Sequence, residues 1–109
     1  MKDLDEIIFK LKEFRDERDW AQFHNPKDLA LALSIESGEL LEQFLWKNAE
    51  DADTNKVKEE LADVFAYALL LSDKYGFDIK EMILEKIEKN AKKYPIEKAK
   101  GTSKKYNEL

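Results

Sequence analysis

Glu36, Glu39, Glu60 and Asp63 are the residues of this chain best suited to chemistry. They read Glu-x-x-Glu and then Glu-x-x-Asp. The i, i+3 spacing places each pair on one face of a helix, one turn apart. Both pairs sit inside apolar runs, Leu33–Leu41 and Glu60–Leu70. Two such pairs on packed helices would repel each other. A shared cation removes that repulsion, and an oxygen-only cage suits Mg²⁺, with Mn²⁺ able to replace it. A single acid pair means little, because acids are 24 of 109 residues and Glu85 and Glu88 repeat the spacing. Glu36, Glu39 and Asp63, however, have no Lys or Arg three or four places away. No helical salt bridge therefore explains them, and burying unpaired carboxylates is costly.

Composition narrows the alternatives. The chain has no Cys, which excludes disulfides, thiolate metal sites and cysteine nucleophiles. A single His24 excludes a multi-histidine metal site. The net charge of −5 argues against binding a nucleic-acid polymer. No apolar run approaches the ~20 residues of a membrane span, and the amino terminus is charged. A soluble, cytoplasmic protein is expected.

The elements that must carry the acids are helical. The chain has only three Gly and two Pro, and Val and Thr are rare. Helices are expected at roughly 3–20, 26–47, 54–75 and 78–93, from caps and breakers. Asp3 with Glu6, and Asp78 with Glu81, form capping-box patterns. Asn25-Pro26 opens the second helix, Asp53 or Thr54 the third, and Gly76 stops the third. Pro95 closes the fourth. Residues 1–95 then form one all-α domain, and 96–109 a lysine-bearing tail. The second helix begins Leu29-Ala-Leu-Ala-Leu-Ser-Ile35, apolar on nearly every side. A four-helix, bundle-like fold is expected, its central bundle completed by a partner subunit in a homodimer or homotetramer.

Aromatic residues flank the acids. Trp20 and Trp46 are expected at helix ends beside loops, and Tyr67 lies one turn beyond Asp63. Flat rings there could stack a base, worth about 1–3 kcal/mol. Lys89, Lys92 and Lys93 could meet phosphate, although cations near a helix end also serve its dipole.

Four blocks together resemble the MazG-like nucleotide pyrophosphohydrolases. These are Trp20-Ala-Gln-Phe-His-Asn-Pro26, Glu36-Ser-Gly-Glu39 through Trp46, Glu59-Glu-Leu-Ala-Asp-Val64 with Tyr67, and Asn90-Ala-Lys-Lys-Tyr-Pro95. The tail from Lys100 to Leu109 continues the likeness, which is nearest the branch containing the dCTP pyrophosphatases. The resemblance implies an all-α, Mg²⁺-dependent oligomer that hydrolyses a nucleoside triphosphate to monophosphate and pyrophosphate. It implies metal-binding and catalytic roles for Glu36, Glu39, Glu60 and Asp63. It also implies substrate contacts from Trp20, His24, Trp46, Tyr67, Asn90 and Lys93; the base and sugar stay open, with dCTP the candidate that the branch likeness suggests. The competing reading is a non-catalytic helical interaction module.

Overall fold

A computed structural model describes residues 2–109, and among them every regular element is helical. The long helices are α1 (Lys2–Glu17), α2 (Pro26–Glu42), α3 (Thr54–Lys74) and α4 (Ile79–Lys93). A short α5 (Ile96–Ala99) follows. The all-α expectation holds. The chain forms two compact units, the first ending at Phe77 and the second spanning Asp78–Leu109.

The helix starts follow side-chain capping. Asn25 accepts a hydrogen bond from the Asp28 amide at 2.9 Å, and its own amide donates to the Asp28 carboxylate at 2.7 Å. Pro26 at the first helical position gives up an amide that would have no helical partner. Asp53 caps α3, accepting from the Asn55 and Lys56 amides. Asp78 caps α4, accepting from the Glu81 amide at 2.9 Å. The capping role expected of Asp3 is not fulfilled: α1 begins at Lys2, so Asp3 lies within the first turn.

Two helix ends differ from expectation. The first helix stops at Glu17 rather than near Trp20. Asp19 adopts a left-handed φ of 55°. The Trp20 amide then donates to the Arg15 carbonyl at 3.0 Å and the Asp19 amide to the Asp16 carbonyl at 3.1 Å. That pair of bonds satisfies the last carbonyls of α1 and turns Trp20 off the helix axis. Gly76, at φ 70°, ends α3 in the same way, with Phe77 donating to Ser72 and Gly76 to Asp73, both at 3.0 Å.

The second helix ends at Glu42 instead of near Lys47. From Gln43 to Leu45 the amides bond three residues back, to Leu40, Leu41 and Glu42. This tightening lets the chain reverse toward α3. Trp46 follows with φ 59°, a left-handed conformation uncommon for a bulky residue.

In the first unit α3 packs mainly on α2 and also on α1. Among the described residues, Leu29 on α2 is fully buried, and Leu69 and Leu70 on α3 are nearly so. Ala66 and Ala68, both half-buried, are small residues on α3. Lys12 pairs with Asp73 at 3.2 Å, linking α1 to the far end of α3. The second helix is not buried all round within the single chain. Its Leu31 and Ile35, one turn apart, are 52% and 61% exposed. In the second unit the last segment folds back: Tyr106 meets Tyr94 edge-on at 6.3 Å, and the Lys93 ammonium lies 5.1 Å from the Tyr106 ring centre.

Candidate active site

Packing α2 against α3 brings the two acid pairs together. One carboxylate oxygen each from Glu36, Glu60 and Asp63 lies within 4.8 Å of the other two. Glu36 and Glu60 are half-buried, and Asp63 is exposed. Glu39 falls outside that three-oxygen cluster, yet its carboxyl is within hydrogen-bonding reach of both Glu36 and Glu60.

The electrostatic consequence is strong. Burial pushes the Glu36 carboxyl up to about 7, helped by a hydrogen bond with Glu39 and the charges of Glu39, Asp63 and Glu60. Glu60 is raised too, first by burial and then by the neighbouring charge of Glu39. Oε2 of Glu36 and Oε2 of Glu60 are buried without a hydrogen-bond partner. Buried, unsatisfied carboxylate oxygens are expensive unless something positive meets them. An all-oxygen donor set from two helices fits a hard divalent cation such as Mg²⁺ or Mn²⁺.

A cavity of about 270 Å³ adjoins the cluster. Asp63 belongs to both, since it also lines the cavity with Trp20, His24 and Tyr67. His24 and Tyr67 meet edge to face at 6.4 Å. Burial holds the His24 imidazole below its usual range, assisted by the charges of Arg15 and Lys74. Its Nδ1 is buried without a partner. Burial raises the Tyr67 hydroxyl, as do the charges of Glu36, Asp63 and Glu39. At neutral pH the pair is therefore an uncharged imidazole and a protonated phenol, both able to donate a hydrogen bond.

Trp46 is 99% exposed in the loop after α2 and does not line this cavity. Asn90 and Lys93 lie on α4 in the second unit, where the Asn90 carbonyl accepts from the Tyr94 amide at 2.8 Å. Five lining residues escaped sequence reasoning as site residues: Leu11, Phe14 and Arg15 of α1, and Ala66 and Leu70 of α3. The available signal was a cation inside the apolar stripe of α1, four places after Leu11.

The MazG-like family model matches residues 31–109. The chain belongs to the MazG-like family. Among relatives of this MazG-like chain, dCTP pyrophosphatase 1 of Homo sapiens is 39% identical over 105 aligned residues, covering 89% of this chain and 62% of the relative. The Bos taurus protein of that name is 37% identical over the same coverage. This MazG-like chain thus spans about 62% of the length of the curated relatives it matches. A crystal structure of a pyrophosphatase from Archaeoglobus fulgidus superposes with a TM-score of 0.78 at 42% identity, covering 84% of this chain and 91% of that one.

Proposed function

We propose that this protein is a divalent-cation-dependent nucleoside triphosphate pyrophosphohydrolase acting on a pyrimidine deoxynucleotide such as dCTP. The observation that carries the reading is the double position of Asp63. It belongs to a three-carboxylate cluster fit for Mg²⁺ and lines an aromatic cavity. The cavity, about 270 Å³, is smaller than the roughly 300–1,000 Å³ of sites for drug-sized ligands. It suits a base, with the phosphates left toward the acids. The named relatives and the solved pyrophosphatase support the same reaction.

In this reading Glu36, Glu60 and Asp63 hold Mg²⁺ or Mn²⁺. The cation supplies charge neutralisation of the triphosphate and acidifies water. Glu39, outside the cluster but beside two of its members, orients a water and accepts its proton as general base. The water oxygen bonds to the α-phosphorus, the bond from that phosphorus to the β-bridging oxygen breaks, and pyrophosphate leaves. Trp20, His24 and Tyr67 hold the base. Trp46, Asn90 and Lys93 enter as substrate contacts on motif likeness. The segment 96–109 is read as a lysine-bearing tail of the domain, and the family match extends over it.

We also expect a second copy to cover α2. Leu31 and Ile35 on α2, and Leu61 and Phe65 on α3, are large, apolar and exposed, each pair one helical turn apart. Sedimentation equilibrium should show a dimer or tetramer; a sole 12.8 kDa species removes this part of the reading. No helix among the described residues is long and apolar enough to cross a membrane.

The deciding test is pyrophosphate release from each common ribo- and deoxynucleoside triphosphate. Release with Mg²⁺, lost in chelator, is the expected result. Binding of Mg²⁺ without turnover of any nucleotide would instead identify a metal-stabilised helical scaffold.

A further inference from the structure

Arg15 has no role in the reaction described above, yet it lines the same cavity as Trp20, His24 and Asp63. Its side chain is only 15% exposed. The guanidinium Nε donates to the Asp16 carboxylate at 2.8 Å. That bond also holds Asp16 below the usual carboxylate range, so Asp16 stays charged and anchors Arg15 from the rear. Among the described residues, the two terminal nitrogens have no hydrogen-bond partner. The terminal N–H donors are thus available to a ligand, and two of them, one from each nitrogen, lie side by side on the outer edge of the rigid planar group.

The end of the cavity where Arg15 lies is indicated by its neighbours. Arg15 and His24 both line the cavity, and the Arg15 charge acts on the imidazole. If phosphates are drawn to the metal-binding acids, the base occupies the end with Arg15.

We propose that Arg15 is the specificity-determining residue of this pocket, its terminal nitrogens gripping two adjacent acceptors on the edge of a nucleobase. This inference rests on the hydrolase reading only for the orientation of the nucleotide. The geometry of the fork selects among bases. Cytosine presents N3 and O2 side by side, both acceptors. Guanine presents O6 and N7. Adenine sets its N6 donor beside N1 and N7 and leaves N3 alone on its edge, and thymine and uracil place the N3–H donor between their carbonyls. Cytosine and guanine share the recognised chemistry, and the small cavity favours the single ring. Asp16 is a positioning residue for this fork.

Calorimetric titration of the full chain with dCTP, dGTP, dATP and dTTP in Ca²⁺ tests this without requiring turnover. Wild type should bind dCTP about tenfold or more tightly than dATP and dTTP, the range expected of a bidentate contact. Arg15→Gln should remove that preference. Arg15→Lys should remove it too, because the charge remains but the fork does not. Lys10→Gln, a distant exposed charge on the same helix, should leave it unchanged. Tighter binding of dGTP than dCTP would assign the fork to the guanine edge and overturn the single-ring assignment. An equal loss for all four nucleotides in Arg15→Gln, restored in Arg15→Lys, makes Arg15 a phosphate contact and overturns the proposal. Unchanged preferences in both variants, or no nucleotide binding at all, overturn it as well. Pyrophosphate release is scored separately: an Arg15-dependent binding preference without hydrolysis refutes the hydrolase reading and leaves this one standing.

Discussion

Glu36 and Asp63, on different helices, place carboxylate oxygens within 4.8 Å of each other, with a Glu60 oxygen equally close to both. The charges of Glu39 and Asp63 add to the burial that raises the proton affinity of Glu36, and removing either should relieve it. Asp63→Asn or Glu39→Gln should therefore abolish pyrophosphate release while the metal-free protein melts at the same or a higher temperature. Paired melts and activity assays, with and without Mg²⁺, check both halves. Near wild-type activity in either variant would remove that residue from the catalytic set.

The raised Glu36 carboxyl makes stability depend on pH in a definite direction. Unfolded, the group loses its proton near 4.5; folded, it keeps the proton up to about 7. Between those values the native state binds more protons, so stability from this group falls as pH rises. The melting temperature of metal-free wild type minus that of Glu36→Gln should be larger at pH 5 than at pH 7.5. Mg²⁺ should raise the wild-type melting temperature more at pH 7.5, where the cluster is ionised. A pH-independent difference between the two proteins would show that Glu36 titrates normally.

The two tryptophans should separate cleanly. Trp20 lines the cavity, so Trp20→Ala should weaken nucleotide binding by about 5–150-fold, the equivalent of one lost stacking contact. Trp46 is 99% exposed, so Trp46→Ala should not lower the melting temperature of the nucleotide-free chain. If Trp46 also takes the base, its loss weakens binding to a similar degree while Mg²⁺ binding stays unchanged. Tryptophan fluorescence titrations in Ca²⁺ measure each effect. Unchanged affinity in both variants would place the base elsewhere.

Gly38 lies inside α2 between the two acids, and a Cβ built there meets nothing within 4 Å. A glycine within a helix costs roughly 0.5–1 kcal/mol relative to alanine. Gly38→Ala should therefore stabilise the chain by about that amount in urea denaturation. Stabilisation with loss of pyrophosphate release would mean that a substrate or a second copy needs close approach to the backbone at this point. Destabilisation would show that the position is already crowded.

Local signals were legible wherever they act over one or two helical turns. Asn25, Asp53 and Asp78 announced three helix starts because a cap needs only its own next three residues. Gly76 announced a stop because it adopts a left-handed φ at no steric cost. The ends at Glu17 and Glu42 were not legible in this way. There the left-handed residues are Asp19 and Trp46: Asp tolerates that conformation without being confined to it, a bulky Trp rarely adopts it, and the turn is set by where the chain must go next.

The sequence by itself determined that the chain is helical, that Glu36 pairs with Glu39 and Glu60 with Asp63, and that aromatics accompany them. Side-chain periodicity decides these matters within each helix. Tertiary structure alone decided that Glu36, Glu60 and Asp63 form the close cluster while Glu39 stands beside it. It also decided that Trp20 and Arg15 share a cavity with Asp63, and that Trp46 does not. Those outcomes depend on how α1 and α2 pack against α3 and on the angle at which each chain reversal leaves its helix. Periodicity assigns a residue to a face of its own helix; only packing decides what that face meets.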